Sequence, residues 1–192
     1  VHNGFINFAG EKMSKSLGNF WTIREILGLY NPEAVRYFLM SVHYKSGLNF
    51  EVEAPEGVED PEVIRRESRF PGLEEADERV GYVYTTLAQV REALAVGKDV
   101  PDEGEVTEAV GGMMEAFVAA MRNDFNTPAA LGALSKPLNE VNGLLASGKG
   151  VAKDVRRRTL KRFATDMEAV AGVLGCFGDD PAEFLARRRD LK

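Results

Sequence analysis

The sequence predicts a mainly α-helical protein, in which a small β-loop-α-α-β connector precedes an antiparallel helical bundle. From residue 80 onward, apolar residues recur at spacings of three and four along four successive segments, which is typical of amphipathic helices. Short connections between helices favour antiparallel neighbours. The connections here contain Gly97, Pro101, Gly104, Gly148 and Gly150.

The connector, residues 1–50, is predicted from one strand pattern and two helix caps. Phe5–Phe8 is short and mostly apolar, as expected of a strand. Thr22 is expected to cap a helix that ends near Gly28, because Glu25 three residues later completes a capping box. The remaining signals are a cap at Asn31 with Pro32 behind it and a short strand at Leu48–Phe50.

An acidic segment, residues 51–72, is predicted to be a linker. Residues 51–80 carry eleven acidic and four basic side chains, and Pro55, Pro61 and Pro71 interrupt the segment. Prolines at these intervals leave room for at most one short helix, near Asp60–Ser68. The sequence offers no function for this segment.

The helical bundle is predicted over residues 73–178. Thr127 is expected to cap the third helix, Pro137 to kink it, and Gly175 to end the fourth. The four apolar stripes run from Val80 to Leu94, Val106 to Met121, Leu131 to Leu145 and Leu160 to Leu174. A C-terminal extension, residues 179–192, is expected to hold a last helix from Pro181 to about Arg189.

Composition restricts the class of protein. The chain has 192 residues, of which 44% are hydrophobic and 28% charged, as in globular proteins. No apolar run is long enough for a transmembrane helix or a signal peptide, so we expect no membrane partner. A single cysteine, Cys176, excludes an internal disulfide and fits a reducing, cytoplasmic location. His2 and His43 lack neighbouring ligand residues, so no metal site is expected.

The most specific feature is a polar loop at residues 10–19. It reads Gly-Glu-Lys-Met-Ser-Lys-Ser-Leu-Gly-Asn. Lysines supply positive charge and serines supply hydrogen-bond donors, while the bracketing glycines allow the backbone to approach a ligand closely. This combination suits a polyphosphate, although basic loops are more commonly solvated surface.

Four motifs together resemble the cysteinyl-tRNA synthetase family of class I aminoacyl-tRNA synthetases. Lys12–Ser16 resembles the ATP signature loop that the whole class shares. The flanking sequences resemble the cysteine enzymes in particular. These are "HNGF" at residues 2–5, "PEAVRYFLMSVHYKSGLNF" at 32–50 and "DFNTPAAL" at 124–131.

The resemblance implies a function for each part of the chain. Lys15, assisted by Lys12, would be catalytic, and Lys12, Met13, Ser14, Lys15 and Ser16 would bind Mg-bound ATP. The connector would resemble the family's stem-contact unit, and the bundle its anticodon-binding DALR-like domain, with tRNA(Cys) as the partner. The family places its nucleotide fold and its zinc ligands upstream of the loop. The chain is therefore expected to be a C-terminal fragment, inactive alone, that meets cysteine and ATP through an absent catalytic core and has no zinc ligands of its own.

Basic residues on the fourth bundle helix are the candidate tRNA contacts. Residues 151–192 carry ten basic and seven acidic side chains in a chain of net charge −6. A basic helix face suits phosphate contacts, but solvated surface is an equal alternative. The candidates are Arg156, Arg157, Arg158, Lys161 and Arg162, with Arg36 on the second connector helix.

Two other functions remain open from the sequence. A related ligase that adenylates cysteine but joins it to an amino sugar would share the lysine-serine loop. A stand-alone RNA-binding module that retains a vestigial loop would share the basic helix. Dependence of the reaction on tRNA would separate the first from a tRNA synthetase.

Overall fold

The computed structural model describes residues 4–8, 11–12, 21–58, 60–147 and 150–190. It forms two compact units, Val1–Val80 with Asp190–Lys192, and Gly81–Arg189. The described residues are mainly helical, which confirms the predicted fold class. Each unit is considered by itself below.

A small three-stranded sheet organises the first unit. β1 (Ile6–Phe8) lies between β2 (Glu11–Lys12) and β3 (Leu48–Phe50). β1 pairs antiparallel with β2 and parallel with β3, with Ile6 opposite Leu48. The sequence predicted β1 and β3 but assigned residues 11 and 12 to a loop. They extend the sheet because their backbone pairs with that of Asn7 and Phe8.

Two capped helices connect the strands. α1 (Ile23–Leu29) begins with the predicted capping box, in which the Glu25 N–H donates to Thr22 Oγ1 (3.2 Å) and the Thr22 N–H to Glu25 Oε2 (2.7 Å). α2 (Pro32–Met40) begins at Asn31, whose Oδ1 accepts from the Glu33 N–H at 2.8 Å. Both caps are confirmed, since each depends only on residues adjacent in the sequence.

Phe70 is the centre of the first unit's core. It is 1% exposed and packs edge-to-face with Trp21 (5.0 Å between ring centroids) and Tyr30 (5.8 Å). Ile26 from α1, Val35 from α2 and Leu73 complete the buried cluster. Phe70 belongs to the acidic segment predicted as a linker, so that segment contributes an aromatic side chain to the core.

The acidic segment also has its own structure. α3 (Pro61–Glu67) is the single short helix expected there, capped by Asp60. Glu53 and Arg69 form an antiparallel bridge on either side of it. Because this bridge brings the two ends of the segment together, the segment folds back on itself and is not an extended spacer.

Helices make up the second unit. α4 (Pro71–Ala95) begins in the first unit and continues into the second. α9 (Lys153–Leu174) ends at Gly175, whose φ of 66° is left-handed, as predicted for a C-terminal glycine. The others are α5 (Glu108–Gly111), α6 (Met113–Arg122), α7 (Thr127–Gly132), α8 (Ser135–Ala146) and α10 (Pro181–Asp190).

Two helices predicted as continuous are divided. The second stripe breaks at Gly112, between α5 and α6. The third breaks at Ala133 and Leu134, and Pro137 lies in the first turn of α8 and does not kink a helix. Proline has no N–H to donate to the carbonyl four residues earlier, so the interruption falls upstream of it. Asn126, and not Thr127, caps α7.

Candidate functional site

The predicted ATP-binding residues are only partly described. The backbone of Lys12 lies in β2, opposite Asn7 of β1. Met13, Ser14, Lys15 and Ser16 lie outside the described residues. The chain thus enters this segment from a strand edge and leaves it at Trp21, directly before the capping box of α1.

Trp21 anchors the exit from the segment. Its ring packs against Phe70, and the Arg65 guanidinium lies 5.5 Å from the centroid of its ring. Arg65 also pairs with Glu25, whose pKa is lowered by the hydrogen bond from the Thr22 N–H, by the Thr22 hydroxyl and by the charge of Arg65. The interpretation of Trp21 as a packing residue is confirmed, and it ties the start of α1 to the core.

Gly4 fixes the approach to β1. Its N–H donates to the Tyr44 carbonyl at 2.7 Å, and a Cβ at this position would overlap the carbonyl oxygen of Ser46. Only glycine fits so close to a neighbouring backbone. This contact gives a structural reason for the glycine in the "HNGF" sequence, whose role could not be inferred from sequence.

Arg36 lies on α2 between buried Val35 and half-buried Tyr37, and its own side chain is exposed. Its position is compatible with a contact to an external phosphate.

Arg157 is bound by the end of a neighbouring helix. Its Nη2 donates to the Leu94 carbonyl (2.7 Å) and its Nη1 to those of Val96 (2.6 Å) and Ala93 (3.4 Å). These carbonyls lie at the C-terminal end of α4, where no further helical N–H can reach them. A cation there also interacts favourably with the helix dipole. Arg157 therefore caps α4.

Two further basic residues of α9 contact the connection between α4 and α5. Arg158 donates to the carbonyls of Pro101 (3.0 Å) and Glu105 (2.9 Å). Lys161 pairs with Asp102 (2.5 Å) and Asp99 (3.1 Å), and both contacts raise the pKa of Lys161. The contact with Lys161 also lowers the pKa of the Asp99 carboxyl group. These contacts hold the connection between α4 and α5 against α9.

Arg162 pairs within its own helix. Its Nε donates to both carboxylate oxygens of Asp166 at 2.9 Å, and the Asp166 side chain is 8% exposed. Of the five basic candidates on α9, only Arg156 has a side chain that makes no hydrogen bond or ion pair with any described residue. Internal partners occupy the other four, which weakens the expectation that they form one solvent-facing basic surface.

In the described part of the chain, His, Cys, Asp and Glu side chains do not come together in any group of three that could hold a metal ion. Cys176 is buried and forms no disulfide. Within the same residues, none of the helices combines the length and the apolarity needed to cross a bilayer.

Two family models match the chain. The model described as the tRNA synthetases class I (C) catalytic domain matches residues 1–59, and the DALR domain model matches residues 116–178. The first match contains the lysine-serine loop and the small sheet. The second covers most of α6 and all of α7, α8 and α9.

Curated relatives match the chain from end to end. It is 36% identical to the "Cysteine--tRNA ligase" of Trichlorobacter lovleyi over 100% of its length, and 38% identical to that of Nitratidesulfovibrio vulgaris over 98%. It is also 36% identical to the "Cysteine--tRNA ligase, chloroplastic/mitochondrial" of Arabidopsis thaliana over 99%. The chain spans about a third of each relative, namely 36%, 36% and 31%. Along its whole length, the chain is therefore similar to a part of the cysteine–tRNA ligases, a family of class I tRNA synthetases.

Proposed function

We propose that the chain is the C-terminal part of an enzyme that uses ATP to attach cysteine to tRNA(Cys). The observation that carries this proposal is the match of the whole chain, at 36% identity, to cysteine–tRNA ligases. The two domain matches support a division of labour within the chain. Residues 1–59 would serve the ATP-dependent step, and the helical bundle would bind the tRNA.

The lysine-serine loop is proposed to act when the adenylate forms. Mg-bound ATP gives up pyrophosphate in this step, and negative charge develops on the leaving group. Lys15, assisted by Lys12, would bind that charge more tightly in the transition state than in the ground state, which is how a positioned cation accelerates a reaction. Ser14 and Ser16 would shape the loop or donate hydrogen bonds to phosphate oxygens, and Met13 belongs to the same proposed ATP-binding set.

Cysteine selection is proposed to take place outside this chain. The family resemblance implies a zinc ion in the whole enzyme, but the described residues offer no group that fits one. We therefore assign zinc, the cysteine site and the nucleotide fold to the rest of the enzyme. Purified alone, the chain should show no cysteine-dependent exchange of pyrophosphate into ATP.

The bundle is proposed to hold tRNA(Cys), with Arg36 and the basic residues of α9, Arg156, Arg157, Arg158, Lys161 and Arg162, as the starting set of contacts. The geometry supports Arg156 more strongly than the other four residues of α9, whose side chains have internal partners. A cytoplasmic location is part of the same proposal. It rests on the single cysteine in the sequence, which fits a reducing compartment.

The test of the loop is Lys15→Ala in the whole enzyme. Single-turnover adenylate formation should slow by about 10²–10³, the scale for loss of one transition-state contact, while cysteine affinity changes little. Arg24→Gln is the matched control, because Arg24 is an exposed cation of α1 without a described partner. An unchanged rate in Lys15→Ala would remove this lysine from the mechanism.

The acceptor of the cysteinyl group separates the proposal from the amino-sugar ligase. The DALR match favours tRNA. Adenylate formed by the whole enzyme should be consumed on addition of tRNA(Cys) and not on addition of an amino sugar. Transfer to the sugar would replace the proposed function.

A further inference from the structure

An open cavity of about 680 Å³ lies in the second unit, between the end of α4 and the start of α9. The connection that follows α4, including Gly97 and Val100, forms one wall, and the first two turns of α9 form the other. We call this the α4–α9 groove. Its α4 side lies outside the residues that the DALR model matches, 116–178, and its α9 side lies within them.

Three cations line the α4–α9 groove without internal partners. Lys98 comes from the connection, and Lys153 and Arg156 from α9. None of their side chains forms a hydrogen bond or ion pair with a described residue. Arg157 also lines the groove, but its terminal nitrogens already donate hydrogen bonds to the carbonyls at the end of α4.

The acidic residues of the groove do not neutralise these cations. Asp99 is paired with Lys161, which binds Asp102 as well. Asp154 is exposed and has no described partner, so its charge reduces the positive potential of the groove without binding a cation there. Four cations and two carboxylates line the groove, so its lining is positive in a chain whose net charge is −6.

We propose that the α4–α9 groove binds backbone phosphates of tRNA through Lys98, Lys153 and Arg156. This rests on the proposed function and replaces the continuous basic face of α9 with a different set of residues. Like charges brought together without counter-charges repel one another, and a polyanion that displaces their solvent ions relieves this repulsion. Neutralising phosphates releases condensed counterions, which makes such binding strongly dependent on salt.

The test compares two double variants that remove the same charge. Lys98→Gln with Arg156→Gln takes two cations from the groove. Arg122→Gln with Lys136→Gln takes two exposed cations that likewise have no described partner but lie outside it. Binding of fluorescent tRNA(Cys) to the full chain is measured by anisotropy at several salt concentrations, with circular dichroism as the folding control.

The groove variant should weaken tRNA binding at every salt concentration. The slope of log affinity against log salt should flatten by about 1 for each lost phosphate contact, hence by about 2. The control variant should keep most of its slope. Asp154→Asn supplies a change of opposite sign, since removing a carboxylate from a phosphate site should tighten binding.

The outcomes separate the two proposals. If the unaltered chain does not bind tRNA, both the role of the bundle in the proposed function and this inference fail. If it binds, but the groove variant keeps its affinity and slope, the groove is not the site and the proposed function stands. Equal losses in the two double variants would show that only net charge matters, which also overturns the inference.

Discussion

Arg157→Gln should destabilise the second unit through the end of α4. Glutamine is shorter and neutral, so it cannot donate to the carbonyls of Leu94 and Val96, both within 2.7 Å of the guanidinium. A hydrogen bond from a charged donor is worth about 1.5–3 kcal/mol. The Val96 bond is exposed and water replaces part of it, and Nε of Arg157 is buried without a described partner. We therefore expect a loss of about 2–3 kcal/mol.

Arg156→Gln is the matched control, because it removes the same charge one residue earlier from a side chain without a described partner. It should change stability by less than about 0.5 kcal/mol. Urea titrations followed by far-UV circular dichroism give the two free energies of unfolding. The melting temperature of Arg157→Gln should fall by about 4–12 °C, at about 2–4 °C per kcal/mol for a chain of this size. Equal stabilities of the two variants would refute the assignment of Arg157 as the cap of α4.

Three further predictions concern local contacts. Tyr30→Phe should cost about 1–2 kcal/mol in urea unfolding, because the Tyr30 hydroxyl accepts from the part-buried Phe70 N–H at 2.9 Å; no loss would show that water satisfies that N–H. Gly175→Ala should cost about 1–2 kcal/mol, since its φ is 66°, whereas Gly172→Ala inside α9 meets no atom within 4 Å and should stabilise the protein by about 0.5–1 kcal/mol. Folding lowers the pKa of Glu25 below its ordinary value of 4.5. The ionised Glu25 side chain therefore stabilises the fold above pH 4.5, and this stabilisation is lost as the pH falls through the pKa of the folded state. The stability gap between the wild type and Glu25→Ala should therefore close in acid, and a carboxyl pKa at or above 4.5 by NMR would contradict this.

Helix caps could be predicted from the sequence because they are local. The Thr22–Glu25 capping box, the Asn31 cap and the Gly175 terminus each involve residues within three positions of one another or a single backbone angle. The helix breaks were harder to predict. An apolar stripe can continue across a one-residue interruption such as Gly112, and Pro137 is compatible with either a kink or a nearby helix start.

The roles of the basic residues on α9 could be assigned only from the tertiary structure. In the sequence, Arg156 and Arg157 are indistinguishable neighbours in one basic run. In the fold, the partners of Arg157 lie 61 to 64 residues away along the chain, while Arg156 faces a groove with Lys98 and Lys153. Lys98 and Lys153 carry no signal in the sequence, because each is an isolated lysine in a polar stretch.

The sequence by itself determined the helical class, the caps and the resemblance to the tRNA ligase family, since amphipathic spacing, capping chemistry and the Lys12–Ser16 motif are all properties of short segments. Only the tertiary structure decided which cations are bound internally and which remain open to an external ligand. Whether a charge is neutralised depends on the groups within a few ångströms of it, and for α9 those groups come from the distant end of α4 and the connection that follows it.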